Sequence, residues 1–169
     1  EGYGLLGMGG LGYLIEGPIN NRATYIASYR MSYLDIIADA INASGGMPSY
    51  DDFQAKLEFR PDIYNTFSLL IINGGSLYER DKNGAIDVGE TEYGKLKNNQ
   101  LTIGINYKHI WNKRAYSNTS ISNSIKESDA RFFNIYSDST VFKIIENSDV
   151  RSLRQVNHFK LGPESKMEI

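Results

Sequence analysis

The sequence predicts an all-β protein, an antiparallel meander of about seven to eight strands. From Asp52 to Phe59, polar and apolar residues alternate without a break, with Asp52, Gln54, Lys56 and Glu58 against Phe53, Ala55, Leu57 and Phe59. Successive strand side chains point to opposite faces, so this stretch has one charged face and one oily face, whereas a helix would mix the two sets. Leu101–Lys108 repeats the pattern, with Leu101, Ile103, Ile105 and Tyr107 against Thr102, Gly104, Asn106 and Lys108. Composition agrees: 12 Tyr, 7 Phe and 16 Gly beside only 4 Pro suit strands joined by tight turns.

The elements follow in order. Gly2–Ile19 places seven glycines between Tyr3, Leu5, Leu11, Tyr13 and Ile15, and reads as one strand with a bulky face and a bare face that another stretch of backbone could approach. Gly7–Gly12 spells the glycine spacing of a dinucleotide loop, but that loop needs a helix after it, and here a β-leaning segment ended by Pro18 follows. A nucleotide site is therefore not expected. Arg22–Tyr33 is a strand, and Leu34–Asn42 reads as a short amphipathic helix closed by Gly45, Gly46 and Pro48. Ser49–Phe59 is the clearest strand. The turn Arg60–Asn65, the strand Thr66–Tyr78 and the polar loop Arg80–Thr91 come next. Gly94–Ile110 is a strand, Trp111–Arg114 a tight turn and Tyr116–Glu127 a strand rich in Ser and Asn. A loop lies around Asn134–Thr140, and the weaker strand Val150–Leu161 leads to a turn at Gly162–Lys166.

Connections thus alternate between short (17–21, 60–65, 111–114, 162–166) and long (34–48, 79–92, around 128–142). This asymmetry is the one expected of part of a transmembrane β-barrel, with short periplasmic turns and long extracellular loops. Tyr13, Tyr25, Phe59, Phe67, Tyr107, Trp111 and Tyr116 gather beside the short turns, as in an interfacial aromatic girdle. A small soluble barrel or sandwich with its oily face turned inward shares the same period and stays open as an alternative.

Several function classes drop out. A chain of 169 residues is long enough for one domain, yet 41% hydrophobic content and a mean hydropathy of −0.39 leave little for a thick two-sided core. Net charge is −2 with both signs interspersed, so no basic stripe suits nucleic acid. With no cysteine there is no disulfide frame or thiolate nucleophile. Apolar runs such as Leu69–Ile72 are far too short for a spanning helix, although a spanning strand needs only about 9–11 residues. The start at Glu1, without a leader pattern, reads as a mature, trimmed or internal segment.

His109 and His158 lie too far apart for a zinc motif, Asp51 and Asp52 point to opposite faces, and no nucleophile–base ordering stands out, so neither an enzyme nor a cofactor is expected. Glu79–Glu90 sets Glu79, Asp81, Asn83 and Glu90 at positions that an EF-hand loop uses around a central Gly84. Glu79 stands where that pattern wants Asp, and the flanks read as strands. An Asn83-Gly84 turn in a solvated loop explains the same residues and is preferred over calcium.

Glu16-Gly17-Pro18-Ile19, then Ser28–Asp35 and then Tyr50–Leu57 resemble, in order and spacing, successive landmarks in the barrel of TonB-dependent outer-membrane receptors. The closest resemblance is to the Bacteroidota type with a carboxypeptidase-regulatory-like N-terminal domain. It covers most of Gly2–Tyr78, and the remainder only through strand rhythm. Such receptors close with about 22 strands, so this chain corresponds to an early barrel segment without the plug. The resemblance implies import of a nutrient across the Gram-negative outer membrane. Implied partners are outer-membrane lipid, the receptor's own plug, TonB (contacted through a segment before the plug) and a solute. Arg30, Asp52, Gln54, Lys56, Asn106 and Lys108 are then expected to face the lumen, and Leu57, Ile103 and Ile105 the lipid. A non-transporting outer-membrane or surface β-protein is a further alternative.

Overall fold

A computed structural model describes residues 1–7, 10–34, 46–162 and 166–168. The strands are β1 (Gly2–Gly7), β2 (Gly10–Asn20), β3 (Ala23–Met31), β4 (Ser49–Phe59), β5 (Asn65–Arg80), β6 (Glu92–Asn112), β7 (Ala115–Asn134), β8 (Thr140–Lys160) and β9 (Lys166–Glu168). A short helix, α1 (Lys82–Asp87), lies between β5 and β6. Each strand pairs antiparallel with its chain neighbours in one sheet ordered β1 to β9. The meander is thus as expected; among the described residues it has nine strands rather than seven to eight, in a sheet that is not closed into a barrel.

Two readings of the strands are corrected. Gly2–Ile19 is a pair of antiparallel strands, with Gly7 opposite Gly10 and Gly2 opposite Ile15, rather than one strand. The long connection expected around 128–142 shrinks to residues 135–139, because β7 runs on to Asn134 and β8 begins at Thr140. Both faces are of mixed polarity there, so alternation gives no strand signal. The helix expected at Leu34–Asn42 falls, apart from Leu34, outside the described residues.

The turns are made by Asn and Asp side chains that accept nearby backbone N–H groups, a local preference of these residues. Asn20 Oδ1 accepts from Arg22 N at 2.8 Å, Asp62 Oδ1 from Tyr64 N at 2.7 Å, Asn112 Oδ1 from Arg114 N at 2.8 Å and Asn134 Oδ1 from Tyr136 N at 2.9 Å. Asp62 also accepts from both the backbone and the side chain of Asn65, and the side-chain bond leads the contacts that hold its carboxyl below the usual range.

Register separates the faces. On one face a row of Leu57, Leu69, Ile105, Ile121 and Leu153 crosses β4 to β8, next to a row of Phe59, Phe67 and Tyr107 toward the short turns. Phe67 and Tyr107 stack with ring centroids 4.7 Å apart. Along β6 this apolar band runs from Leu101 to Tyr107, about 20 Å of strand. The next row, Ala55, Ile71 and Ile103, ends differently, on Asn123 and Arg151. The opposite face carries most of the charged and hydroxyl groups.

A single layer encloses almost nothing. Among the described residues the buried apolar side chains are only Ala23, Ala85, Ala130 and Ile135, while Ile105 is 55% and Leu153 73% exposed. At the long-loop end Tyr93 packs on Phe133, and Phe132 lies between Tyr78 and Phe142. Near these rings α1 packs against β6, and Ile135 N donates to Thr91 O at 3.0 Å, joining the two connections of that end.

Candidate functional site

On the polar face one row runs Gly12, Arg30, Asp52, Gly74, Gln100, Lys126 across six strands. Arg30 and Asp52 stand opposite each other, and the guanidinium grips the carboxylate through Nε, 3.1 and 3.0 Å from the two oxygens, and Nη2, 3.0 Å from Oδ2. The flanking glycines leave room for the pair. A Cβ on Gly12 would stand 3.2 Å from Arg30 Cγ, and one on Gly74 would stand 3.1 Å from Asp52 Cβ. One row nearer the short turns, Gln54 stands between Ser28 and Ile72; beyond it Lys56 Nζ lies 3.3 Å from Glu58 Oε2, and Arg60 also reaches Glu58.

All six residues expected to line a lumen, Arg30, Asp52, Gln54, Lys56, Asn106 and Lys108, share this face by register. Arg30 and Asp52 are joined, but the six do not converge on one cavity. Lys56 borders a recess of about 510 Å³ with Glu16 and Glu58; Asp52 borders one of about 310 Å³ beside Gly74 and Gln100; Lys108 borders one of about 610 Å³ between β6 and β9.

Sequence reasoning did not single out a wall of neutral hydrogen-bonding groups across β5, β6 and β7. Thr102 and Ser124 hydroxyls lie 2.8 Å apart, Ser128 Oγ donates to Asn98 Oδ1 at 2.8 Å, and Asn98 Nδ2 donates to Ser76 Oγ at 3.3 Å. Such a surface can exchange hydrogen bonds with water or a hydrated solute. Among the described residues no imidazole or carboxylate bonds these hydroxyls, so none is arranged as an activated nucleophile.

The Glu79–Glu90 segment is not wrapped around a centre. Asp81 Oδ1 accepts from Gly84 N at 2.7 Å and caps α1, which takes up Asn83; Glu79 stands opposite Lys95; and Glu90 pairs with Arg80 at 3.7 Å. Among the described residues no three of His, Asp and Glu gather as metal ligands. Beside α1, Lys82 Nζ lies 2.6 Å from Asp138 Oδ1, and Tyr93 OH donates to the same oxygen at 3.0 Å. These bonds, Lys82 first, hold the Asp138 carboxyl below its usual range.

The histidines lie on opposite faces. His109 joins Tyr107 and Trp111 on the apolar face, where His109 Nδ1 is 2.8 Å from Asn65 Oδ1 and Trp111 Nε1 donates to Ser117 Oγ at 3.2 Å. His158 stacks on Tyr116 at 4.3 Å on the polar face. With this geometry in hand, comparison with family models, curated proteins and solved structures finds no match to the chain.

Proposed function

We propose that this sheet is a segment of the barrel of a TonB-dependent outer-membrane receptor, with its polar face toward the path of a nutrient solute and its apolar face toward lipid. The observation that carries the reading is the apolar band of a coreless single layer. The band is about 20 Å tall along β6 and is bounded on the short-turn side by the row Phe59, Phe67 and Tyr107. A sheet in water ordinarily buries such a face against a second layer, whereas hydrocarbon would bury it here. The resemblance of Glu16–Ile19, Ser28–Asp35 and Tyr50–Leu57 to receptor landmarks supports the family assignment. On this reading the ladders beyond the apolar band, toward the long loops, stand clear of the bilayer, since β6, β7 and β8 have 20 or 21 residues each.

Cysteine scanning in the parent membrane protein tests the faces. Cysteines at 56, 106 and 108 should react with a water-soluble thiol reagent, and those at 57, 103 and 105 should be protected. The reverse pattern would turn the sheet inside out and remove the proposal.

A second reading, a soluble β-protein that binds an apolar ligand, draws on one row. Arg151, paired with Asp149 at 3.3 Å, shares the apolar face with Ile103, and a cation there would cost about 2–4 kcal/mol at the middle of a bilayer. Detergent dependence separates the two readings. The 169-residue chain should aggregate without detergent, because among the described residues most of the outer edge of β8 and the outer edge of β1 offer unpaired backbone groups beside an exposed apolar face. A monodisperse, detergent-free monomer with cooperative unfolding would favour the soluble protein.

A further inference from the structure

We propose that the short-turn end of the polar face, between β6 and β9, binds a polyvalent anion of the phosphate class. The recess of about 610 Å³ there is bordered by Lys108, Lys113, Arg114 and Lys160. Register brings them together: Lys108 closes the alternation of β6, Lys113 and Arg114 form the two-residue turn into β7, and Lys160 ends β8, where Lys160 N donates to Arg114 O at 2.8 Å. Among the described residues none of the four has an acidic partner, whereas eight other Lys and Arg side chains do. Among the described residues Glu168 is the acid on the rim, and it already faces His158 at 3.6 Å and Arg154 at 3.9 Å.

A chain of net charge −2 thus gathers in one recess four cations without an acidic partner among the described residues. Its wall is aromatic: Tyr116 and His158 stack at an interplanar angle of 19°, and Lys108 Nζ stands 4.6 Å from the Tyr116 ring centroid. The ring holds Lys108 without cancelling its charge. A single carboxylate cannot balance four cations, but a phosphate or diphosphate comes closer, and a guanidinium among ammonium groups suits its oxygens. The volume lies within the usual range for small-molecule sites, roughly 300–1,000 Å³. Toward the β2 edge of the same face the other recess is lined by Glu1, Glu16 and Glu58 beside Lys56, so carboxylates outnumber lysines there, which favours β6–β9 for an anion. The site does not depend on the membrane reading, and its phosphate could belong to a free solute or to a lipid headgroup.

The test is calorimetric titration of pyrophosphate into the full chain in non-ionic detergent micelles, with β circular dichroism confirming the sheet. Saturable binding that weakens with added salt is expected. The Lys108→Gln/Lys160→Gln double variant should bind roughly tenfold more weakly or worse, and Lys95→Gln, at the long-loop end, should bind as the parent does. If the first double variant does not fold, Lys113→Gln/Arg114→Gln serves instead, since the turn is held by backbone and Asn112 bonds. Competition by phosphatidylglycerol added to the micelle would assign the phosphate to a headgroup, and its absence to a solute. No saturable heat from a folded sheet, or equal affinity in the neutralised variants, would overturn the site.

Discussion

Arg30 and Asp52 face each other across β3 and β4 with a glycine on either side of the pair in the same row. The Arg30 side chain is 57% exposed, so a double-mutant cycle with Arg30→Ala and Asp52→Ala should give a coupling of only about 0.2–1 kcal/mol, reduced by salt. Gly74→Val should cost more than losing the pair, because a Cβ there would also stand 3.2 Å from the Asp51 carbonyl oxygen. Denaturant unfolding of the four variants in micelles measures both.

Gly94 and Gly89 separate backbone strain from steric collision. Both have positive φ, 153° and 75°, but a Cβ on Gly94 would lie 2.0 Å from the Arg131 carbonyl oxygen, whereas one on Gly89 would meet nothing within 4 Å. Gly89→Ala should cost about 1–2 kcal/mol from conformation alone. Gly94→Ala should exceed it and loosen the start of the β6–β7 ladder, seen as faster amide exchange at Phe132. Equal costs would mean that the β7 backbone gives way freely.

Ile105 and Asn106 are sequence neighbours on opposite faces, in rows with Leu57 and Glu58. If the apolar face meets hydrocarbon, Ile105→Arg should lose about 2–4 kcal/mol of stability in a bilayer, and Asn106→Arg little. Unfolding from lipid vesicles reads the difference. Similar losses at the two positions would count against lipid on either face.

Asp138 ties residues 135–139 to α1 through Lys82 and to β6 through Tyr93. Its carboxyl is held below the ordinary value of about 3.9, so the tie is fully present above that pH and is lost as pH falls through the lower, folded value. Amide exchange at Ile135 should quicken in that acid window, and Lys82→Gln should bring the onset to higher pH. An onset that Lys82→Gln does not move would leave Lys82 without a part in it.

The sheet was legible where its two faces differ. Phe53–Phe59 and Leu101–Lys108 declare their pleat in the sequence, and the faces of Asp52, Lys56, Asn106 and Lys108 follow from the same alternation. Residues 128–134 and 140–149 declare nothing, because each face mixes charged and apolar side chains there: Ile145 stands among Asp129, Arg131 and Lys143 on one, and Glu146 shares the other with Phe132 and Phe142. The contact of Arg30 with Asp52 depends on register across residues 32–48, which composition cannot supply. The basic recess was hidden for a similar reason: Tyr116 and His158 are brought together only by the β7–β8 ladder, and His158 by itself suggests no partner.

Because every strand pairs only with those next to it in the chain, the sheet has the connectivity of a zipper. The turns into β3, β5, β7 and β8 close over five residues or fewer, so hairpins there can form with small loop-closure entropy and then add to one another edge by edge. Interactions are nearest-neighbour in character, as in repeat arrays. A lesion in β2 should therefore leave the β6–β7 ladder intact, and a chain cut after β7 should keep its earlier hairpins while exposing a new edge for the next strand to join.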